Sequence, residues 1–352
     1  MQIDKFFKER LSNFKPYNAI LPECNIRLDA NESFLNIHPK IIEEIIEQIK
    51  TLDFNRYPDS SAKELCKVYG QYIGIDGKNI MAGNGSDDLI QIIINTFIDK
   101  GDKLLCINPD FSMYRVYGEL AFGKIVLYEL DKDFKLDIEN FIKSIKKENP
   151  KLILLSNPNN PTGGIIKKQD IIKILENSNA IVVIDEAYYD FSGETIVNEI
   201  EKYENLIVLR TCSKALASAS LRLGFLITNR KILEELKKYK QPFNVNLLSQ
   251  EIGITILKNT EINKKALKKI LEEKAFLQKE LEKIKRLKVY PSHTNFFLIE
   301  FDDAKKVHQS LLEKGIFVRK FTEGRLKDFL RITVGNREEN EILIKSLKDI
   351  LT

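Results

Sequence analysis

Leu206-Ile207-Val208-Leu209-Arg210-Thr211-Cys212-Ser213-Lys214 is an apolar run that ends in a lysine. Four consecutive aliphatic residues read as a strand buried on both faces. A second run of this kind, Ile181 to Ile184, ends in Asp185-Glu186-Ala187-Tyr188, and Arg222 follows Lys214 by eight residues. Outward from this pair, strand-like segments recur at Asn79 to Ala82, Lys103 to Ile107, Lys124 to Leu130, Lys151 to Ser156 and Leu223 to Thr228. Helical periodicity fills the gaps, at Lys63 to Ile73, Asp87 to Phe97, Phe111 to Ala121, Asp137 to Lys146 and Lys168 to Glu176. Short apolar strands alternating with helices predict an α/β domain around a mostly parallel sheet.

Beyond Asn246 the texture changes. Two helical patterns, Leu247 to Leu257 and Ile262 to Ile284, lead away from the sheet. Strand-like Thr294 to Phe301, Ile316 to Phe321 and Leu330 to Val334 then mix with helices Ala304 to Glu313 and Arg337 to Leu351. This predicts a smaller α+β domain. The segment up to Ile49 shows no sheet-like alternation and is expected to join it. At 352 residues the chain exceeds one compact core, so we expect a large domain over 50–246 and a small one from 1–49 and 247–352.

Composition narrows the function by exclusion. Lys and Arg number 55 against 51 Asp and Glu, a balance of +4 that argues for neither nucleic acid nor membrane partners. Cys24, Cys66, Cys106 and Cys212 form no CxxC pair, and His38, His293 and His308 show no metal-binding spacing, so no metal is expected. The N-terminus lacks the apolar stretch of a signal peptide, and no run is long enough to span a bilayer; the expected location is the cytoplasm.

Two loops carry chemistry. Gly83-Asn84-Gly85-Ser86-Asp87 follows a strand and opens a helix, a place suited to an anion. It is no dinucleotide fingerprint, because the third glycine position is Asp88. A plain turn with Ser86 as helix cap reads equally well. Asn157-Pro158-Asn159-Asn160-Pro161-Thr162-Gly163-Gly164 lies at a strand's C-terminal end, where α/β sheets place their ligands. An asparagine amide there can donate to a pyridinol oxygen. Together with these loops, Lys214, Asp185 and Arg222 make the set a pyridoxal phosphate enzyme needs. The lysine condenses with the cofactor aldehyde, and the acid keeps the ring nitrogen protonated so that the ring accepts electrons.

On these residues the chain resembles the fold-type I, pyridoxal-phosphate-dependent aminotransferases of class I/II. Within that superfamily it is most similar to the histidinol-phosphate aminotransferases. The likeness is carried by Leu28-Asp29-Ala30-Asn31-Glu32, Arg56-Tyr57-Pro58-Asp59, Asn159 to Gly163, Asp185 to Tyr188, Arg210 to Ala215, Pro242 to Asn246 and Arg331-Ile332-Thr333-Val334-Gly335. The resemblance implies pyridoxal 5'-phosphate on Lys214, with Asp185 on the ring nitrogen and Asn160 and Tyr188 on the ring oxygen. It implies a phosphate site of Gly85, Ser86, Asp87, Ser213 and Arg222, and Phe111 stacked on the ring where the family often has tyrosine. Tyr57 corresponds to a tyrosine that reaches the neighbouring subunit's phosphate, which implies a homodimer. Tyr17, Arg319 and Arg331 match positions that contact substrate.

The implied reaction is transamination between small amino and keto substrates, L-histidinol phosphate and 2-oxoglutarate, in histidine biosynthesis. A threonine-phosphate decarboxylase and an aromatic aminotransferase are the alternatives on the same scaffold. A regulator built on this domain would need a DNA-binding module, and fewer than thirty residues precede Leu28. One departure stands out: Ser220 occupies a position usually held by glycine, which bears on the shape of the pocket.

Overall fold

The computed structural model describes residues 3–6, 22–322 and 324–352. Tyr17 therefore lies outside the described residues. A short 3-10 turn at Ile3–Phe6 is followed among the described residues by strand β1 (Ile26–Leu28), in a segment where no strand was expected. Three residues are too few to show a period, and only pairing with a distant strand makes them one.

Seven strands form the larger sheet: β2 (Ile80–Asn84), β3 (Lys103–Asn108), β4 (Lys124–Glu129), β5 (Leu152–Ser156), β6 (Ile181–Asp185), β7 (Leu206–Thr211) and β8 (Leu223–Thr228). Their spatial order is β2-β8-β7-β6-β5-β3-β4. Strands β4, β3, β5, β6 and β7 run parallel, while β8 is antiparallel to both β7 and β2. The parallel centre follows from composition: β5, β6 and β7 are almost wholly aliphatic and buried, as strands covered by helices on both faces must be. Ser156 pairs with Asp185, and Asp185 with Leu209, so the polar ends of these strands line up at one edge.

The helix Arg230–Tyr239 was not anticipated, because only a few of its residues are apolar. Asn229 caps it by accepting from the Ile232 amide, and Ile232, Leu233 and Leu236 are its buried face. Helix Leu247–Lys258 lies against helices Lys63–Ile73 and Pro39–Ile49, with Ile41 and Ile45 meeting Ile256. After Asn246 the chain thus first covers the large sheet.

The smaller sheet has the order β1-β11-β12-β10-β9, adding β9 (Leu287–Val289), β10 (Phe296–Phe301), β11 (Ile316–Lys320) and β12 (Phe329–Thr333). β1 runs parallel to β11, and the remaining pairs are antiparallel. Its core joins Ile26, Leu28, Phe297, Val318, Leu330 and Ile332 to helix residues such as Leu343 and Leu347. Among the described residues, no helix is long and apolar enough to cross a membrane, and no group of His, Cys, Asp or Glu could hold a metal ion.

Candidate active site

Asp185 ends β6 with its side chain buried. The Tyr114 hydroxyl donates to its Oδ2 at 2.7 Å and the Ala187 amide to its Oδ1 at 3.1 Å. Among the described residues, no cation pairs with it. Burial pushes its pKa up to about 6, against the pull of these two donors. Tyr114 was not anticipated, although it stands three residues after Phe111, in the first turn of the helix Met113–Leu120. The Phe111 ring meets Tyr114 edge-on, with centroids 5.4 Å apart.

Lys214 lies past the end of β7. Its Nζ donates to the Ala30 carbonyl at 3.0 Å and sits 5.8 Å from the centre of the Tyr188 ring. The Tyr188 hydroxyl accepts from Asn31 Nδ2 at 2.8 Å. Asn31 is buried and adopts a left-handed backbone, φ 55°, which asparagine tolerates better than most residues. Asp29 completes this segment, its carbonyl accepting from Arg331 Nη2 at 2.6 Å. The turn after β1 therefore touches Lys214, Tyr188 and Arg331. Sequence reasoning marked the string but assigned it no role, because two of its three contacts are backbone carbonyls that carry no residue-type signal.

Arg331 of β12 reaches the loop after β5. Its Nη1 donates to Asn160 Oδ1 at 2.7 Å, and its guanidinium lies 5.3 Å from the Phe296 ring centre. The Asn160 amide nitrogen donates to none of the described residues, while its backbone N–H donates to Ser156 Oγ at 3.2 Å. Arg319 is exposed on β11 and registers opposite Arg331, so both side chains project from one face of the small sheet.

The anion loop is tightly built. Helix Ser86–Phe97 is capped by Gly85, not by Ser86 as the turn reading had it, and among the described residues no side chain satisfies its first N–H groups. Gly85 has φ 81°, and a Cβ there would stand 2.5 Å from the Arg222 guanidinium. On the other side, a Cβ on Gly224 would lie 2.6 Å from the backbone at Gly85 and Ser86. Arg222 Nη2 also faces Asp87 Oδ2 at 3.3 Å, and Ser213 Oγ accepts from Thr211 at 2.9 Å. Ser220 is exposed in the short turn Ala219–Leu221 without a positive φ, so its side chain fits there unstrained.

Tyr57 stands apart. It is 82% exposed, and its ring stacks on Phe243 at 4.6 Å. Of the expected site residues, the structure thus joins Lys214, Tyr188, Asn160 and Arg331 through shared contacts. It gathers Gly85, Asp87 and Arg222 at the anion loop and leaves Tyr57 on the surface.

The residues present fit pyridoxal phosphate. Asp185 is a buried acid lacking a cation, which a protonated ring nitrogen would supply. The Asn160 amide has donor capacity for a ring oxygen. Unsatisfied N–H groups at a helix start, with a guanidinium beside them, suit a phosphate.

The profile of the family described as Aminotransferase class I and II matches residues 25–347. The chain is 53% identical over 346 residues to the histidinol-phosphate aminotransferase of Clostridium novyi, covering 98% of this chain and 97% of that one. Its identity to the histidinol-phosphate aminotransferase of Clostridium kluyveri is 52% over 349 residues, covering 99% of both. In fold it is similar to the crystal structure of histidinol-phosphate aminotransferase from Sinorhizobium meliloti in complex with pyridoxal-5'-phosphate. That match has a TM-score of 0.89 at 22% identity and covers 98% of this chain and 97% of that chain.

Proposed function

The chain belongs to the aminotransferase class I and II family, and on that premise we propose that it is a transaminase of histidine biosynthesis. It moves the amino group of L-histidinol phosphate to 2-oxoglutarate, giving imidazole acetol phosphate and L-glutamate, with pyridoxal 5'-phosphate as cofactor. The near-full-length likeness to the two clostridial relatives carries this reading. The site supports it, because Lys214, Asp185 and the anion loop follow strands β7, β6 and β2, which end on one edge of the sheet.

Bound there, the cofactor supplies a cationic ring that takes up the electron pair left when a proton departs from substrate. Lys214 Nζ, released from the Ala30 carbonyl, takes the proton from the substrate α-carbon and delivers it again, acting as base and then acid. Asp185 must be ionised to keep the ring nitrogen charged. Breaking such a buried pair costs on the order of 3–5 kcal/mol. Arg331 offers a planar fork to an anionic group, and Arg319 on the same face adds a second positive charge. Since both substrates are anionic, one pair of arginines serves each in turn. Tyr17 assists in seating the phosphate.

Tyr57, exposed beside Phe243, supports a homodimer in which each tyrosine reaches the partner subunit's cofactor phosphate. The four cysteines are free thiols, which supports a cytoplasmic location. Borohydride reduction of the purified protein followed by peptide mapping should place the pyridoxyl group on Lys214, and histidinol phosphate should turn over with 2-oxoglutarate. Label on another lysine would overturn the site. Release of carbon dioxide from threonine phosphate, with no turnover of histidinol phosphate, would replace transamination by decarboxylation.

A further inference from the structure

Asp110 is an acid for which the reaction above has no use. It lies in the loop after β3, directly before Phe111, and is half-buried. Four donors converge on its carboxylate. Oδ1 accepts from the Phe111 amide at 2.8 Å, from Asn159 Nδ2 at 3.1 Å and from the Ser156 hydroxyl, while Oδ2 accepts from the Ser156 amide at 3.3 Å. Ser156 Oγ in turn accepts from the Asn160 amide at 3.2 Å and from Asn159 Nδ2 at 3.1 Å. Asn159 Oδ1 accepts from the Thr162 amide and hydroxyl, at 3.1 and 2.7 Å, which closes the asparagine loop on itself.

We propose that Asp110 is a positioning residue that sets Phe111 and Asn160 relative to each other, joining the loops after β3 and β5 through Ser156. This rests on the reading of Phe111 and Asn160 as ring contacts. The path is short: Phe111 amide, Asp110 carboxylate, Ser156 hydroxyl, Asn160 amide. From Asn160 it continues to Arg331 of the small domain. A carboxyl suits the junction because both of its oxygens can accept, and each group facing it donates. Ser156 Oγ, already accepting twice, has its one proton left for Asp110. Burial pushes the Asp110 carboxyl up to about 8 even against the donors from Ser156 and Phe111. An acid held in such a place without a cation is costly. The return is a fixed spacing between the group that stacks on the ring and the group that meets its edge. Misplacement of reacting groups by an ångström can lower a rate about 100-fold.

Three variants of the full-length protein test this: Asp110→Asn, Ser156→Ala and the double substitution. The asparagine keeps shape but turns a donor toward donors. Each single variant should bind pyridoxal phosphate about tenfold more weakly, as expected for a buried hydrogen-bonding group left unpaired. Each should also alter the visible circular dichroism of the bound cofactor and lower kcat about 100-fold with a smaller change in KM. Because both lie on one path, the double variant should be no worse than the worse single. Wild-type dichroism and kcat in Asp110→Asn, or losses that multiply in the double variant, would overturn the proposal. If Asp110→Asn does not fold, Ser156→Ala decides alone, and wild-type dichroism there overturns it. Failure of the wild-type protein to take the cofactor on Lys214 would instead fault the underlying reading of the site.

Discussion

At the scale of single residues, the site is organised around a carboxylate that burial disfavours. Asp185 has its pKa raised to about 6, and the Tyr114 hydroxyl is the strongest force opposing that rise. Removing this donor with Tyr114→Phe leaves the acid more easily protonated. A hydrogen bond to a charged group contributes about 1.5–3 kcal/mol, and one pH unit corresponds to about 1.4 kcal/mol. On the proposed reading Asp185 acts only when ionised, so the acid limb of the kcat profile should move to higher pH by on the order of one unit. A pH–rate series on both proteins checks this, and a limb that stays in place would show that Tyr114 does not tune Asp185. Tyr114 itself is fully buried, and burial raises its own pKa, so it remains a donor throughout the working range.

At the scale of elements, the anion loop depends on how closely β8 runs past the start of the helix Ser86–Phe97. Gly224 lies against the backbone of Gly85 and Ser86, with no room for a methyl group. Gly224→Ala should push strand and helix apart, at a cost of about 1–3 kcal/mol from overpacking. The same displacement would move Arg222, two residues earlier, away from the helix N–H groups. The expected result is a lower thermal midpoint together with weaker pyridoxal phosphate binding, measured by titration of the cofactor-free protein. A lower midpoint with unchanged affinity would mean that the strand–helix spacing does not define the phosphate site. The small sheet works in a similar way: antiparallel register alone sets Arg319 opposite Arg331.

At the scale of the whole molecule, the proposed homodimer has exposed aromatic residues to draw on. Phe54, Tyr57, Tyr239 and Phe243 are each at least 40% exposed, with Tyr57 stacked on Phe243. In a homodimer with shared sites, a Lys214→Ala chain mixed with a Tyr57→Phe chain forms heterodimers in which one site keeps both residues. Such a mixture should regain part of the wild-type activity that neither variant has alone. No recovery in a preparation shown to contain heterodimers would mean that each chain completes its own site.

The sequence by itself determined the local and the periodic. Aliphatic runs specified β5, β6 and β7, because a strand covered on both faces tolerates little else. The helices Lys63–Ile73, Lys168–Glu176, Ala304–Glu313 and Arg337–Leu351 were legible to the residue from their amphipathic spacing. The candidate site was legible wherever residue type carries the chemistry, as at Lys214, Asp185, Asn160 and Arg222. Contacts made by backbone, or by side chains distant in sequence, were decided by tertiary structure alone. Strand β1 exists because β11 pairs with it, and its exit then presents the carbonyls of Asp29 and Ala30 to Arg331 and Lys214. Asp110 looks like an ordinary loop acid until the ends of β3 and β5 come side by side and turn four donors toward it. Every residue carries a carbonyl and many carry a carboxylate, so their roles follow from what the fold brings within 3 Å, roughly the length of a hydrogen bond.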